Sequence, residues 1–259
     1  MATKKSRADD AASGVIWPQI ALGLALLAVW ETLGRGSGGI WISRPTLVAA
    51  KLIAWGGGEL WRHLGITLAE LTIGVVPGMT LGILAGLVLG RAPVVAGILR
   101  PIVVALYSVP LISLAPLFIM FFGIGMLPKI VLVAIVVFFL LFFNTFAGVE
   151  RVDEDLIATG RIMGASAPEQ FRKIVLPAAL VWIIGGFRIA IPYALIATIT
   201  GELLSAQSGL GHLLNRAAEQ FDTTSLYAVL FILMLLGLFL TEAASRLERH
   251  LLRWRHTAA

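Results

Sequence analysis

Leu71-Thr-Ile-Gly-Val-Val-Pro-Gly-Met-Thr-Leu-Gly-Ile-Leu-Ala-Gly-Leu-Val-Leu-Gly90 runs for twenty residues without a charge. About 20 apolar residues are what a helix needs to cross the ~30 Å hydrocarbon core of a bilayer, so this stretch reads as a transmembrane span whose helix begins earlier, near Trp61. Within it Gly74, Gly78, Gly82, Gly86 and Gly90 recur every four residues, which stacks five positions without side chains on one helical stripe. Such a stripe lets another helix approach closely; lining a pore is the less common use.

Working outward, the chain repeats the pattern. An apolar run from Val15 to Leu33 forms a first span, retained because no small-residue cleavage site follows its basic front. Pro101 to Pro128 is uncharged and forms a third, interrupted by Pro110 and Pro116, and Ile130 to Val149 a fourth. Ala178 to Gly201 is a fifth, with Arg188 inside it, and Ser225 to Thr241 a sixth. Between the first two, Gly34 to Pro45 reads as a glycine-rich loop and Thr46 to Trp55 as a short helix ended by Gly56-Gly57-Gly58. The expected fold is an all-α polytopic membrane protein of six helices. Composition agrees, since 58% of the 259 residues are hydrophobic and 14% charged, at a mean hydropathy of +0.92; a water-soluble globule is excluded. The chain reads as a single transmembrane domain over 1–259, with polar tails at 1–13 and 243–259 and a charged aqueous stretch at 150–177.

A net charge of +5 and pI near 10 raise nucleic acid as a partner. Placing the basic residues answers it. With both termini cytoplasmic, thirteen Lys/Arg lie inside, at 4, 5, 7, 91, 100, 151, 161, 172, 173, 246, 249, 253 and 255, against six outside, at 35, 44, 51, 62, 129 and 216. This is the positive-inside asymmetry of a membrane protein, and no soluble basic domain remains to bind nucleic acid.

Several catalytic chemistries are excluded. There are no cysteines, hence no disulfide, thiolate metal site or cysteine nucleophile. The four histidines, at 63, 212, 250 and 256, lack ligand spacing, so no metal is expected. Gly34-Arg-Gly36-Ser-Gly-Gly39 matches a dinucleotide fingerprint by accident, because no strand precedes it. No nucleophile-and-base constellation supports an intramembrane enzyme. Arg188 and Asn144 are costly against lipid, which makes them candidates to line a polar translocation path; a structural hydrogen bond or snorkelling is the alternative for Arg188.

The stretch at 150–177 holds the chemistry-bearing pattern. Asp153-Glu-Asp155 is an acidic helix start, followed by Leu156-Ile-Ala-Thr-Gly160-Arg-Ile-Met-Gly164-Ala-Ser166. Ser166-Ala-Pro-Glu169 fits a capping box opening a second short helix, broken at Pro177. Two short helices hinged at glycine, with Leu156, Ile157, Ile162 and Met163 between charges, make a docking element.

Here the residues carry a resemblance. Gly164, nine residues, then Ile174-x-Leu176-Pro177 resembles the second half of the E-A-A-x3-G-x9-I-x-L-P loop of permease subunits of bacterial ABC importers. Ala158-Thr159-Gly160 stands where that family has Glu-Ala-Ala. Pro116-Leu-Phe-Ile-Met-Phe-Phe-Gly123-Ile-Gly125, Gly186-Phe-Arg188, Gly201-Glu202, Gly209-Leu-Gly211 and Leu247 to Arg255 are similar to the nitrate/sulfonate/taurine branch. The resemblance implies the type I importer permease fold in the bacterial inner membrane and a homodimer. Its implied partners are two cytoplasmic ATPase subunits, which hold ATP and magnesium, and an extracytoplasmic solute-binding protein. The implied solute is a small anion such as a sulfonate, taurine, nitrate or carboxylate. It also implies an ATPase-coupling surface at Leu156, Ile157, Ala158, Thr159, Gly160, Met163, Gly164 and Ala165, with no catalytic site or bound cofactor in this chain. An ion-coupled secondary transporter is the competing function, and would need internal repeats and several intramembrane ionisable groups.

Overall fold

The computed structural model describes residues 3–36, 41–205 and 207–253. Every regular element among them is helical. In order these are α1 (Thr3–Gly36), α2 (Pro45–Trp55), α3 (Glu59–Gly90), α4 (Pro93–Ser108), a 3₁₀ turn (Leu111–Leu114), α5 (Ala115–Phe122) and α6 (Leu127–Glu150). Then follow α7 (Glu154–Ile162), α8 (Ala167–Gln170), a π-helical segment (Phe171–Val175), α9 (Leu176–Ser205), α10 (Leu210–Glu219) and α11 (Thr223–Leu251).

Four helices among the described residues are long and apolar enough to cross a membrane: α3, α6, α11 and the continuous run from Ala167 to Ser205. The expected third span is a broken one, in which α4 and the Leu111–Phe122 segment meet at 75°. Pro110 and Pro116 lack the N–H groups that would carry a helix through, and the short α5 ends at Gly123, whose φ is +77°. The expected first span falls within α1. That helix also reaches back to Thr3 through the stretch expected to be a loose tail, because adding turns to an existing helix costs little once it is nucleated. Ser37 to Ile40 of the glycine-rich loop, and the tail from Trp254 onward, lie outside the described residues.

The chain divides into two compact units. One joins residues 1–60 to 213–231. Here Trp30 packs on Tyr227 with ring centroids 5.5 Å apart, Ser43 and Thr224 share a 2.8 Å hydrogen bond, and Lys51 pairs with Asp222 at 3.6 Å.

The other unit joins residues 61–212 to 232–259 and is built around α6. The glycine stripe of α3 lies against it. A Cβ on Gly74 would sit 2.7 Å from Val133, one on Gly82 2.6 Å from the Phe138 carbonyl, one on Gly86 2.6 Å from Thr145 and one on Gly90 2.7 Å from Val149. The helix that the stripe accommodates is therefore α6. Glycines serve the α6–α9 contact too, with Gly148 under Trp182 and Gly186 under Asn144. Leu132, Val133, Val137, Leu141, Ala179, Ala190, Ala194 and Ala197 are fully buried there. Outward-facing Ile98, Ile102, Met120 and Phe121 stay exposed, the inverse of a soluble surface.

Candidate functional site

The connection between α6 and α9 is shaped by three local devices. Asp153 caps α7 by accepting the Asp155 N–H at 2.9 Å. At the other end the Ala165 N–H donates to the Gly160 carbonyl at 2.9 Å and the Gly164 N–H to the Arg161 carbonyl at 3.0 Å, the paired bonds of a Schellman stop. This turn needs the left-handed conformation at Gly164, whose φ is +83°. Glu169 then accepts from the backbone N–H and the hydroxyl of Ser166, at 3.0 and 2.8 Å. These bonds, with Lys173 nearby, hold the Glu169 carboxyl down at about 2.

The expected break at Pro177 is absent. The backbone shifts to i→i+5 pairing over Phe171–Val175 and runs on into α9 at Leu176, so the helix continues through Pro177. Arg91 stacks on Phe171 at 5.3 Å, and the Gln170 amide donates to the Ala165 carbonyl at 3.0 Å. The first contact ties the loop to the segment after α3, and the second closes the loop on itself.

The resulting surface is apolar where solvent would be expected. Leu156, Ile162 and Met163 are 56%, 88% and 82% exposed, with Ala158, Thr159 and Gly164 exposed beside them. Ile157, Gly160 and Ala165 are half-buried. Gly160 faces inward, where a Cβ would lie 3.0 Å from Ile174.

The two translocation-path residues have different surroundings. Asn144 is half-buried over Gly186, its amide donating to the Leu140 carbonyl at 2.8 Å. Arg188 is half-exposed and donates to Glu248 of α11 at 3.1 Å.

A second polar centre, not anticipated from the sequence, lies at the far end of α9, roughly 40 Å from the loop at 1.5 Å per residue. Lys129, in the first turn of α6, forms an ion pair with Glu70 of α3, and both are almost fully buried. Gly201 makes room for the lysine stem, since a Cβ there would meet Lys129 Cγ at 2.9 Å. Glu202 is buried beside them and accepts from the Thr67 hydroxyl at 2.7 Å and the Gly211 N–H at 2.7 Å. The two preceding amides are also held, Leu210 N–H by Thr67 Oγ1 and Gly209 N–H by His63 Nδ1, each at 2.9 Å. His63, Thr67 and Glu70 thus use one face of α3 to receive the start of α10. The Gly209-Leu-Gly211 motif gains a cause: a Cβ on either glycine would strike Glu202. The sequence signs of this centre were isolated ionisable residues at span ends and the Gly201-Glu202 and Gly209-Leu-Gly211 motifs, none of which says which residues meet.

A family profile described as binding-protein-dependent transport system inner membrane component matches residues 78–253. The formylaminopyrimidine transport permease protein of Halalkalibacterium halodurans is 33% identical over 233 residues, covering 90% of this chain and 93% of that protein. The taurine transport system permease protein of Escherichia coli is 29% identical over 253 residues, covering 92% of each. Among solved structures, the methionine ABC transporter MetNI in an inward-facing conformation matches with a TM-score of 0.61 at 22% identity, over 74% of this chain and 95% of that one. That likeness shows the fold.

Proposed function

The chain belongs to the binding-protein-dependent transport family of inner membrane components, as a multi-pass permease subunit of an ABC importer, and from that premise we propose how its parts divide the work. A permease of this family acts with an ATPase and a solute-binding protein. This chain carries no G-x-x-x-x-G-K-[ST] loop to cradle phosphates, so energy reaches it through a surface. Two copies of the chain enclose the path, two ATPase subunits hold ATP and magnesium, and both termini face the cytoplasm. The chain contributes no catalytic group. Its solute is small and carries an anionic group, as in the taurine relative.

One observation carries the coupling role: α7 is capped at both ends yet exposes Leu156, Ile162 and Met163. A helix so closed off and so apolar outside is built to be seated in a partner's groove. Ala158, Thr159 and Gly164 keep that face low, and Ile157, Gly160 and Ala165 support it from beneath. Asn144 faces the path at the α6–α9 contact, while Arg188 serves it as a tether to α11.

The test is Gly164→Arg beside Gly164→Ala. Both carry the cost of a side chain at positive φ, roughly 1 kcal/mol, but only arginine adds bulk to the docking face. The arginine variant is expected in the membrane with at least tenfold less ATPase subunit co-purifying, while the alanine variant keeps most of it. Full ATPase recovery and parental uptake with arginine would remove the loop from coupling.

A further inference from the structure

The buried ion pair forms the floor of a cavity. A space of about 370 Å³ opens between α3, the Gly123–Met126 turn with the start of α6, and the segment after α9, lined by Ile66, Glu70, Met126, Lys129, Ser205 and Ser208. It is large enough for a small organic molecule. Glu70 is 1% exposed. One of its carboxylate oxygens takes the Lys129 ammonium, and the other, Oε2, has no donor against it. The neighbouring Glu202 lies against the same pair, its oxygens accepting from Thr67 and Gly211. Lys129 in turn makes one hydrogen bond with three N–H groups. The floor therefore has an unmet acceptor and spare donors side by side, with two acids for one base.

We propose that this cavity is a solute subsite of the permease that takes a small zwitterion, an amino acid or aminosulfonate, with its ammonium on Glu70 and its acid group on Lys129. The inference rests on the permease reading and narrows its solute. A bare anion entering here would face Glu70 and Glu202 together; a bare cation would compete with Lys129. A zwitterion opens the pair and gives each charge a new partner, so neither is left uncompensated out of water. Ile66 and Met126 offer apolar lining for a short carbon stem, and Ser205 and Ser208 complete the polar part of the lining.

The assembled transporter in lipid nanodiscs, probed by saturation-transfer NMR with taurine, ethanesulfonate and ethylamine, tests this. Taurine is expected to give at least a fivefold stronger response than either single-charge probe. Ser208→Trp, which fills the cavity without replacing either member of the ion pair, should abolish the taurine response, and Ile124→Trp, at another lining position, should do the same. Glu70→Gln should bring taurine down to the level of ethanesulfonate. An equal response to ethanesulfonate in the parent, or a taurine response that survives both tryptophan variants, would overturn the subsite. Co-purification of the ATPase subunits is read on the same samples, and its loss in the parent would instead strike the permease reading.

Discussion

A methyl group on Gly78 would collide with the Ala134 carbonyl of α6, whereas one on Gly97 of α4 would meet nothing within 4 Å. The two glycines are alike in sequence and opposite in consequence. Gly78→Val is expected to cost about 1–3 kcal/mol by overpacking, and Gly97→Ala to be neutral or to gain up to about 1 kcal/mol from helix propensity. Thermal unfolding of the purified variants in detergent checks this; equal midpoints would mean that α3 and α6 are not in backbone contact. The four-residue period predicts that something lies close to α3, but only the packed chain shows that it is α6. Glu70 and Lys129 were still less legible. They are 59 positions apart, and each reads alone as an ordinary charge near a span end.

At the scale of elements, the α7–α8 connection was the most legible part of the chain, because caps and stops act over three to six residues. Ser166 and Glu169 were recognisable from spacing, and their bonds are present at 3.0 and 2.8 Å. Two backbone and side-chain bonds from Ser166, then Lys173, lower the Glu169 carboxyl from 4.5 to about 2. A depressed folded value means that the box contributes fully above pH 4.5 and is lost as pH falls through about 2. NMR of 13C-labelled glutamate, assigned with Glu169→Gln, should show a carboxyl titrating near 2; a midpoint above 4 would mean that the box is open. Pro177 was misread as a break for a reason of scale. Proline lacks one N–H donor, but the π-helical turn before it changes the pairing and the helix runs on through it.

For the whole molecule, orientation is the expectation that sequence carries best, since it depends on a sum over loops: thirteen basic residues against six. Gln207 and Ser166 are both exposed and lie at opposite ends of the run that includes α9. In intact cells an impermeant thiol reagent should label Gln207→Cys and spare Ser166→Cys; the reverse would invert the topology. Hydrophobicity and charge are additive along the chain, so composition and spacing alone determined the all-helical membrane class, the candidate spans and the family resemblance of the Gly164 loop. The bend between α4 and α5, the α3–α6 glycine contact and the Glu70–Lys129–Glu202 centre depend on which helices become neighbours. Only the tertiary structure decided these, because a buried charge is tolerated where a partner from a distant segment meets it, and no local pattern records that meeting.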